Sequence, residues 1–334
     1  MLSALPQTSF LTQLRQKLRI KHNRITLSEF TYDDILGTSL SLTIKSSKIA
    51  AQAAYLNALL EIDRLEKIYS RFNNTSELNQ WLSQKGTPYN VSPELACLVH
   101  KALLYTKITR GAFHPGVDAL SSLWHHAELE NKRPDQAQIN KTLEHFKGDF
   151  CTFEPYNMSL NKHFPVGLNF NALAKGMIVD AAATRAFNQL DIEEGLLNIG
   201  GDLRHISHHS KEGMIVDIQD AFELADNAPP VLSLRICNQS VATSGAARRG
   251  FEIQNKRYSH VIDPRTGWPV RKTVSATVIA PECATADALA TSFTVLKPAE
   301  SLSLANSLSD VGCHLVTRAG DVYTNGFFDN HILN

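Results

Sequence analysis

The sequence is short of the features that mark several large classes of protein. Lysine plus arginine and aspartate plus glutamate both number 33, so the formal net charge is zero. With no broad basic field to gather phosphate backbones, nucleic acid is not an expected partner. The five cysteines, Cys97, Cys151, Cys237, Cys283 and Cys313, are scattered singly with no CxxC pair. An odd, unpaired set argues against a disulfide framework or a thiolate zinc site and predicts buried, reduced thiols. Nowhere do about 18 apolar residues run together, and the opening MLSALPQTSFLTQLRQKLRIKHNR has no unbroken apolar stretch. Neither a membrane span nor a cleavable signal is expected. Internal repeats, low-complexity tracts and long linkers are also missing, with Asp220 to Pro230 the best loop candidate.

What remains is the composition of a globular protein, 43% hydrophobic and 20% charged over 334 residues. A chain of this size buries roughly 75% of its unfolded surface, so a filled core needs neither disulfides nor structural metal. Two ordinary domains would fit the length, yet no boundary shows. The expectation is a polar lead-in over residues 1–30 and one domain over 31–334.

Local patterns give the fold class. TSLSLTIKS, Thr38 to Ser46, alternates strictly and sets Leu40, Leu42 and Ile44 on one strand face. Tyr55, Leu59, Ile62, Leu65 and Tyr69 recur at helical spacing. Ser92, Pro93 and Glu94 supply an oxygen cap, a proline where no donor is needed and an early acid, and Gly111 ends that helix. VGLNF reads as a strand, Ala174 to Leu190 as a helix and LLNIG as a short buried strand. GMIVDIQ, VLSLRIC, RYSHVI and VSATVIA are further strands. Helices return at Ala284 to Leu296 and after Pro298, and CHLVT with DVYTN closes a hairpin across Arg318 to Gly320. Consecutive strands interrupted by a few helices predict an α+β fold, mainly antiparallel sheets flanked by helices, and not a doubly wound sheet.

Four segments could carry chemistry. In ADALATSF, Asp287 and Thr291 lie four residues apart and share one helix face, with β-carbons about 5–6 Å apart. A carboxylate and a hydroxyl so placed can share a magnesium ion, which binds oxygens at about 2.0–2.1 Å; an ordinary helix acid and core threonine would look the same. LNFNALAKGMIVDAAA opens a helix with small residues and Lys175, which suits either an approaching pyrophosphate or a tight turn with a solvated lysine. NIGGD, Asn198 to Asp202, ends a strand in two glycines, as a bulge, a ligand approach or a plain turn would require. In Ser240 to Val270, DPRTG is a turn that follows His260, a residue able to accept a proton near neutral pH or simply to serve as a structural histidine.

These segments occur together and in one order, and in that order the chain resembles the ApbE family. Members typically read as a strand ending near LGT, then DRLE followed by a small-aromatic pair and SEL, then GAFDPTVGPLVNLW, GGIAKGYAVD, NIGGD, TSG with YSHIIDPRTGYPV, and EADALATALFVLG. This chain gives ILGTSLSLTI, IDRLEKIYSRFNNTSELNQW, GAFHPGVDALSSLW, NALAKGMIVD, NIGGD, TSGAARRGFEIQNKRYSHVIDPRTGWPV and TADALATSFTVL, from about Leu36 to Leu296. Departures are His114 and Asn169, where aspartates are usual, and Asn171 with Ala172, which replace a glycine pair.

The resemblance implies a T-fold-like core and a magnesium-dependent FAD:protein FMN transferase, which splits FAD and attaches the FMN half to a threonine or serine hydroxyl of another protein. By motif, Asp287, the Thr291 hydroxyl and the Ala172 carbonyl hold magnesium. FAD, as substrate, runs past Leu36, Phe72, Ala112, Phe113, His114, Asn169, Lys175 and Ile262. His260 matches the family's general base, and Asp287 is the second catalytic residue. The acceptor motif of the family ends SGAT; Ser244 to Ala247 read SGAA, so modification of that loop by the protein itself is not expected. The expected partner is a flavoprotein with an SGAT-like motif. Many relatives are exported lipoproteins, and the missing lipid-attachment cysteine points to the cytoplasm, with the periplasm as the alternative should the true start lie upstream. Two rivals are metal-dependent hydrolysis of FAD to FMN and AMP and a flavin carrier without turnover. A zinc site from His125, His126 and Glu128, or from His205, His208 and His209, is disfavoured because both sets read as exposed polar runs.

Overall fold

TSLSLTIKS is a strand, and around it the fold is built. A computed structural model describes residues 24–84, 86–165, 167–188, 191–209, 211–223, 229–246 and 250–333. Eight strands form one sheet in the order β1 (Thr26–Ile35), β2 (Thr38–Ser46), β6 (Ile192–Ile199), β7 (Asp202–Ser207), β10 (Ser240–Gly245), β13 (Thr273–Ala280), β14 (Gly312–Thr317) and β15 (Val322–Thr324). Every neighbouring pair is antiparallel, with Leu42 opposite Leu197 and Thr243 opposite Thr277. Smaller sheets join β3 (Tyr89–Asn90), β4 (Cys151–Glu154) and β5 (Ser159–Lys162), β8 (Met214–Ile218) with β9 (Leu232–Ile236), and β11 (Gly250–Ile253) with β12 (Lys256–Ser259).

The helices among the described residues are α1 (Lys48–Tyr69), α2 (Glu77–Leu82), α3 (Pro93–Ile108), α4 (Val117–Leu129), α5 (Gln136–Leu143), α6 (Asn171–Phe187), α7 (Cys283–Val295), α8 (Pro298–Ser307) and α9 (Gly326–Asp329). One sheet face sends Leu40, Leu42, Ile44, Leu197, Ala276 and Val278 into a core shared with α1, α6 and α7. The opposite face, with Val241 and Ile279, is covered by the β8–β9 hairpin and Phe328. β13 is buried on both faces along its whole length, so that Thr273, Ser275 and Thr277, which alternate with apolar residues, are buried too. Serines start three of the helices: Ser47, Ser76 and Ser92 accept from the backbone N–H groups of Ala50, Asn79 and Leu95. None of the described helices is long and apolar enough to cross a membrane.

The structure corrects several expectations. Residues 26–30, read as lead-in, already belong to β1, a polar strand whose few apolar side chains hide its period; residues 1–23 lie outside the described ones. Of VGLNF, Val166 lies outside the described residues and Gly167 to Phe170 form no strand. Its Leu168 and Phe170 are buried alternately, but the Asn169 N–H bonds the Pro115 carbonyl across a loop and Phe170 leads into α6, which starts at Asn171. RYSHVI stops as a regular strand at Ser259. Cys151, Cys283 and Cys313 are buried and all five cysteines are free, yet Cys97 is exposed and Cys237 half-buried. His205 is fully buried with Nδ1 accepting from the Asn238 N–H, so it is no surface run.

Candidate functional site

The site is organised by the packing of α6 on α7. Gly176 sits where a Cβ would fall 2.6 Å from the Cys283 carbonyl oxygen and 2.7 Å from the Ala284 Cα. Gly176 of NALAKG therefore admits another helix against its backbone. From α6, Asp180 accepts from the N–H groups of Cys283 and Ala284 at 2.8 and 2.9 Å. It caps α7 from outside, in place of the missing side-chain cap at Glu282.

One turn on, the Gly176 N–H donates to Asp287 Oδ2 at 3.2 Å. In an α-helix the N–H of residue 176 faces the carbonyl of residue 172. Asp287 thus reaches the first turns of α6, the helix that Asn171 and Ala172 open. Thr291 follows Asp287 by one turn of α7 and is half-buried. Lys175 Nζ lies 2.9 Å from Oδ2 of Asp202, the 2%-exposed residue closing NIGGD.

Two buried carboxylates consequently share one ammonium. Burial raises the pKa of Asp287 well above the usual carboxylate range, the Asp202 charge adds to it, and Lys175 offsets part. Asp202 is raised chiefly by burial as well, against the pull of Lys175. Burial opposes the Lys175 ammonium, but the carboxylates outweigh it and hold its pKa above the ordinary value. Asp202 escaped the sequence reading as a site residue because attention fell on the glycines before it. Those glycines make the β6–β7 turn, at φ 56 and 92. A Cβ on Gly200 would strike the Thr38 side chain, which brings the turn against the Leu36–Gly37 corner.

A second group lies around the start of α4. The Arg71 guanidinium binds Asp118 through two bonds of 3.0 and 2.8 Å, and its carbon lies 5.4 Å from the centre of the Phe72 ring. Phe72 is 81% exposed. Asn169 Nδ2 donates to Asp118 Oδ1 at 3.4 Å, its N–H donates to the Pro115 carbonyl, and its Oδ1 accepts from the Asn171 N–H at the mouth of α6. An aspartate at 169, as the family has it, would face Asp118 with like charge; asparagine turns that contact into a hydrogen bond.

Ala112, Phe113 and His114 are buried. The His114 ring packs among Phe146, Phe150 and Phe164, with Nδ1 accepting from the Gly116 N–H at 2.9 Å. Burial pushes its pKa down to about 4, so the ring is neutral and Nε2 is a buried donor without an acceptor among the described residues.

His260 and Ile262 flank the DPRTG turn. Asp263 organises that turn, accepting from the N–H groups of Thr266 and Gly267 through its carbonyl and from Arg265 through its carboxylate. Gly267 sits at φ 73, and the Trp124 Nε1–H donates to its carbonyl. Ile262 is buried with Leu120, Trp124 and Ile139. His260 is exposed beside Ser259, whose hydroxyl donates to the Ala246 carbonyl and accepts from the Val261 N–H. Residue 247 of the SGAA loop lies outside the described residues.

The structure thus joins Lys175, Asp202 and Asp287 in one cluster and, through Arg71 and Asp118, Phe72 and Asn169 in another, while Ala172 sits in the first turn of α6 and His114 packs among its own aromatic rings. Among the described residues no three His, Cys, Asp or Glu side chains gather as a metal cage.

The model of the ApbE family matches residues 36–315. A FAD:protein FMN transferase of Haemophilus influenzae is 28% identical over 298 residues, 86% of this chain and 82% of that protein. One from Vibrio cholerae is 30% identical over 260 residues, 74% of this chain and 75% of that protein. Among solved structures, the ApbE protein of Thermotoga maritima superposes with a TM-score of 0.81 at 25% identity, covering 92% of this chain and all of that one. The flavin transferase ApbE of Vibrio cholerae gives 0.75 at 22% identity, with 92% and 100% covered, and shares the fold.

Proposed function

The chain belongs to the ApbE family, and we propose that it is an enzyme that moves the FMN half of FAD onto a threonine or serine hydroxyl of an acceptor protein, with magnesium bound and AMP released. The names of the relatives, FAD:protein FMN transferase, support the reaction class. The observation that carries the reading is Asp287: a carboxylate 8% exposed, beside a second buried carboxylate and bonded to the Gly176 N–H in the first turns of α6.

This donor set fits a hard cation. Burial holds the pKa values of Asp287 and Asp202 high, a cost that a cation beside them would relieve, and the oxygens of Asp287, Thr291 and Ala172 are of the type magnesium takes. So few protein oxygens leave room for phosphate and water, the usual arrangement for this ion. When bound, magnesium would neutralise the pyrophosphate oxygens of FAD and orient the phosphorus for in-line displacement.

The remaining steps fall to side chains of this chain. Lys175 binds a phosphate oxygen, with Asp202 holding the ammonium in place. Leu36, the backbone of Ala112 to His114, Asn169, Lys175 and Ile262 line the nucleotide, and exposed Phe72 offers a ring face for stacking. His260 takes the proton of the acceptor hydroxyl as that oxygen bonds to the FMN-side phosphorus. The phosphorus–oxygen bond to AMP breaks, and its electron pair leaves with AMP.

The test incubates purified protein with FAD, magnesium and a domain bearing the SGAT motif, followed by mass spectrometry. An FMN adduct with stoichiometric AMP is expected, absent in Asp287→Ala. Free FMN without adduct would replace transfer by hydrolysis, and FAD recovered intact would leave only a carrier.

A further inference from the structure

Beyond the flavin site, a cavity of about 430 Å³ opens between the DPRTG turn and the C-terminal turn of α7. Its walls carry Trp268 and Val295 and four exposed cations, Arg133, Arg271, Lys272 and Lys297. None of the four makes an ion pair among the described residues. The acid in the wall, Asp263, is committed to Arg265 at 2.9 Å. Other cations of the chain meet carboxylates within 3 Å, among them Arg64, Arg71, Lys101, Lys175 and Arg185. Four such charges around one cavity are a local concentration of positive charge in a molecule of zero net charge. The negative end of the α7 dipole accounts for about half a charge, well short of four. Arg133 lies over the Trp268 ring at 5.4 Å, which keeps a guanidinium and an aromatic face together at the rim.

The place of the cavity says what it is for. Ile262 pairs with Pro269, Val261 accepts from the Val270 N–H, and Asp263 donates to the Trp268 carbonyl, all in one antiparallel register. Continued by one residue, that register sets His260 opposite Arg271. On the other wall, Val295 follows Thr291 by one turn of α7, about 6 Å along the axis. The cationic notch is thus flanked by the proposed base and the proposed metal-binding helix.

Resting on the transferase reading above, we propose that this notch is the docking surface for the acceptor, and that it selects an acidic segment next to the modified hydroxyl. The cations are exposed and on long, solvated stems, as suits a protein strand arriving from solution, and Trp268 with Val295 gives an apolar floor for its backbone. Opposite charges at this rim steer the acceptor so that its hydroxyl arrives beside His260.

The test uses two synthetic peptides carrying Ser-Gly-Ala-Thr, one preceded by a run of aspartates and one by asparagines, with wild-type protein, Arg271→Glu/Lys272→Glu and the milder Arg271→Gln/Lys272→Gln. For wild type the aspartate peptide is expected to show a KM about tenfold lower at low ionic strength. The gap should close at about 0.5 M salt, where screening acts within roughly 4 Å. The charge-reversed variant loses or inverts the preference, the glutamine variant falls between, and both keep the FAD dissociation constant and thermal stability of wild type. Equal KM for the two peptides, or equal loss on both in the variants, overturns the docking surface and leaves the transferase standing. No adduct from wild type with either peptide overturns the transferase reading and the docking surface with it.

Discussion

The N–H of Gly176 and the Oδ2 of Asp287 meet at 3.2 Å across the contact of two helices, at a point where residue 176 has no space for a side chain. The geometry of the site is therefore a packing property before it is a chemical one.

Replacing Gly176 with alanine tests that dependence. Helix propensity alone favours alanine by about 1 kcal/mol. The new methyl would meet backbone atoms at 2.6–2.8 Å, which cannot rotate away, and overpacking costs about 1–3 kcal/mol. The second effect should win, giving a lower Tm and weaker magnesium-dependent turnover. An unchanged Tm with full activity would show that α6 and α7 can separate without harm.

Asp180 holds the first turn of α7. Asp180→Ala removes the acceptor of two N–H groups and should cost about 1–2 kcal/mol, seen as a lower midpoint in urea. Asp180→Asn keeps one acceptor and should lie between alanine and wild type.

His114 makes stability pH-dependent. Its pKa is near 4 in the fold and about 6.5 unfolded, so between those values the unfolded chain takes up a proton that the fold refuses. Stability from this residue is complete above pH 6.5 and is lost as pH falls toward 4, in total roughly 3 kcal/mol. His205 and His314, also depressed by burial, act in the same direction. His114→Asn, whose amide oxygen can still accept from the Gly116 N–H, should flatten the slope by up to one proton. Chemical denaturation across that pH range reads the difference.

His260 is exposed, so its loss should leave the fold intact. His260→Gly is expected to slow transfer by roughly 10²- to 10⁴-fold, the usual worth of a general base, while FAD affinity measured by fluorescence stays as in wild type. Recovery with added imidazole would tie the effect to proton transfer. A large loss of FAD affinity would instead place His260 in nucleotide binding.

Much of this was legible in the chain. Strict alternation located β2, and Ser92-Pro93-Glu94 located the start of α3, because in both the local signal and the tertiary environment agree. β1 hid because a polar edge strand needs few apolar residues, and VGLNF misled because alternating burial can arise in a loop packed against a core. Asp287 and Lys175 stand out by motif. Asp202 as partner to Lys175, and Gly176 as a spacer between helices, depend on contacts between residues 27 and 111 positions apart in sequence, which no local pattern records.

The sheet finishes in β1, a strand with one row of peptide groups facing away from β2. Glu29, Asp33 and Asp34 are exposed along it, and the pairing slips between Tyr32 and Ile35, where Asp34 takes a left-handed φ of 61. Charge and a kink together make this margin a poor template for a strand from another molecule. The polar character that conceals the strand from pattern reading is thus the same character that disfavours pairing of this margin with a foreign strand.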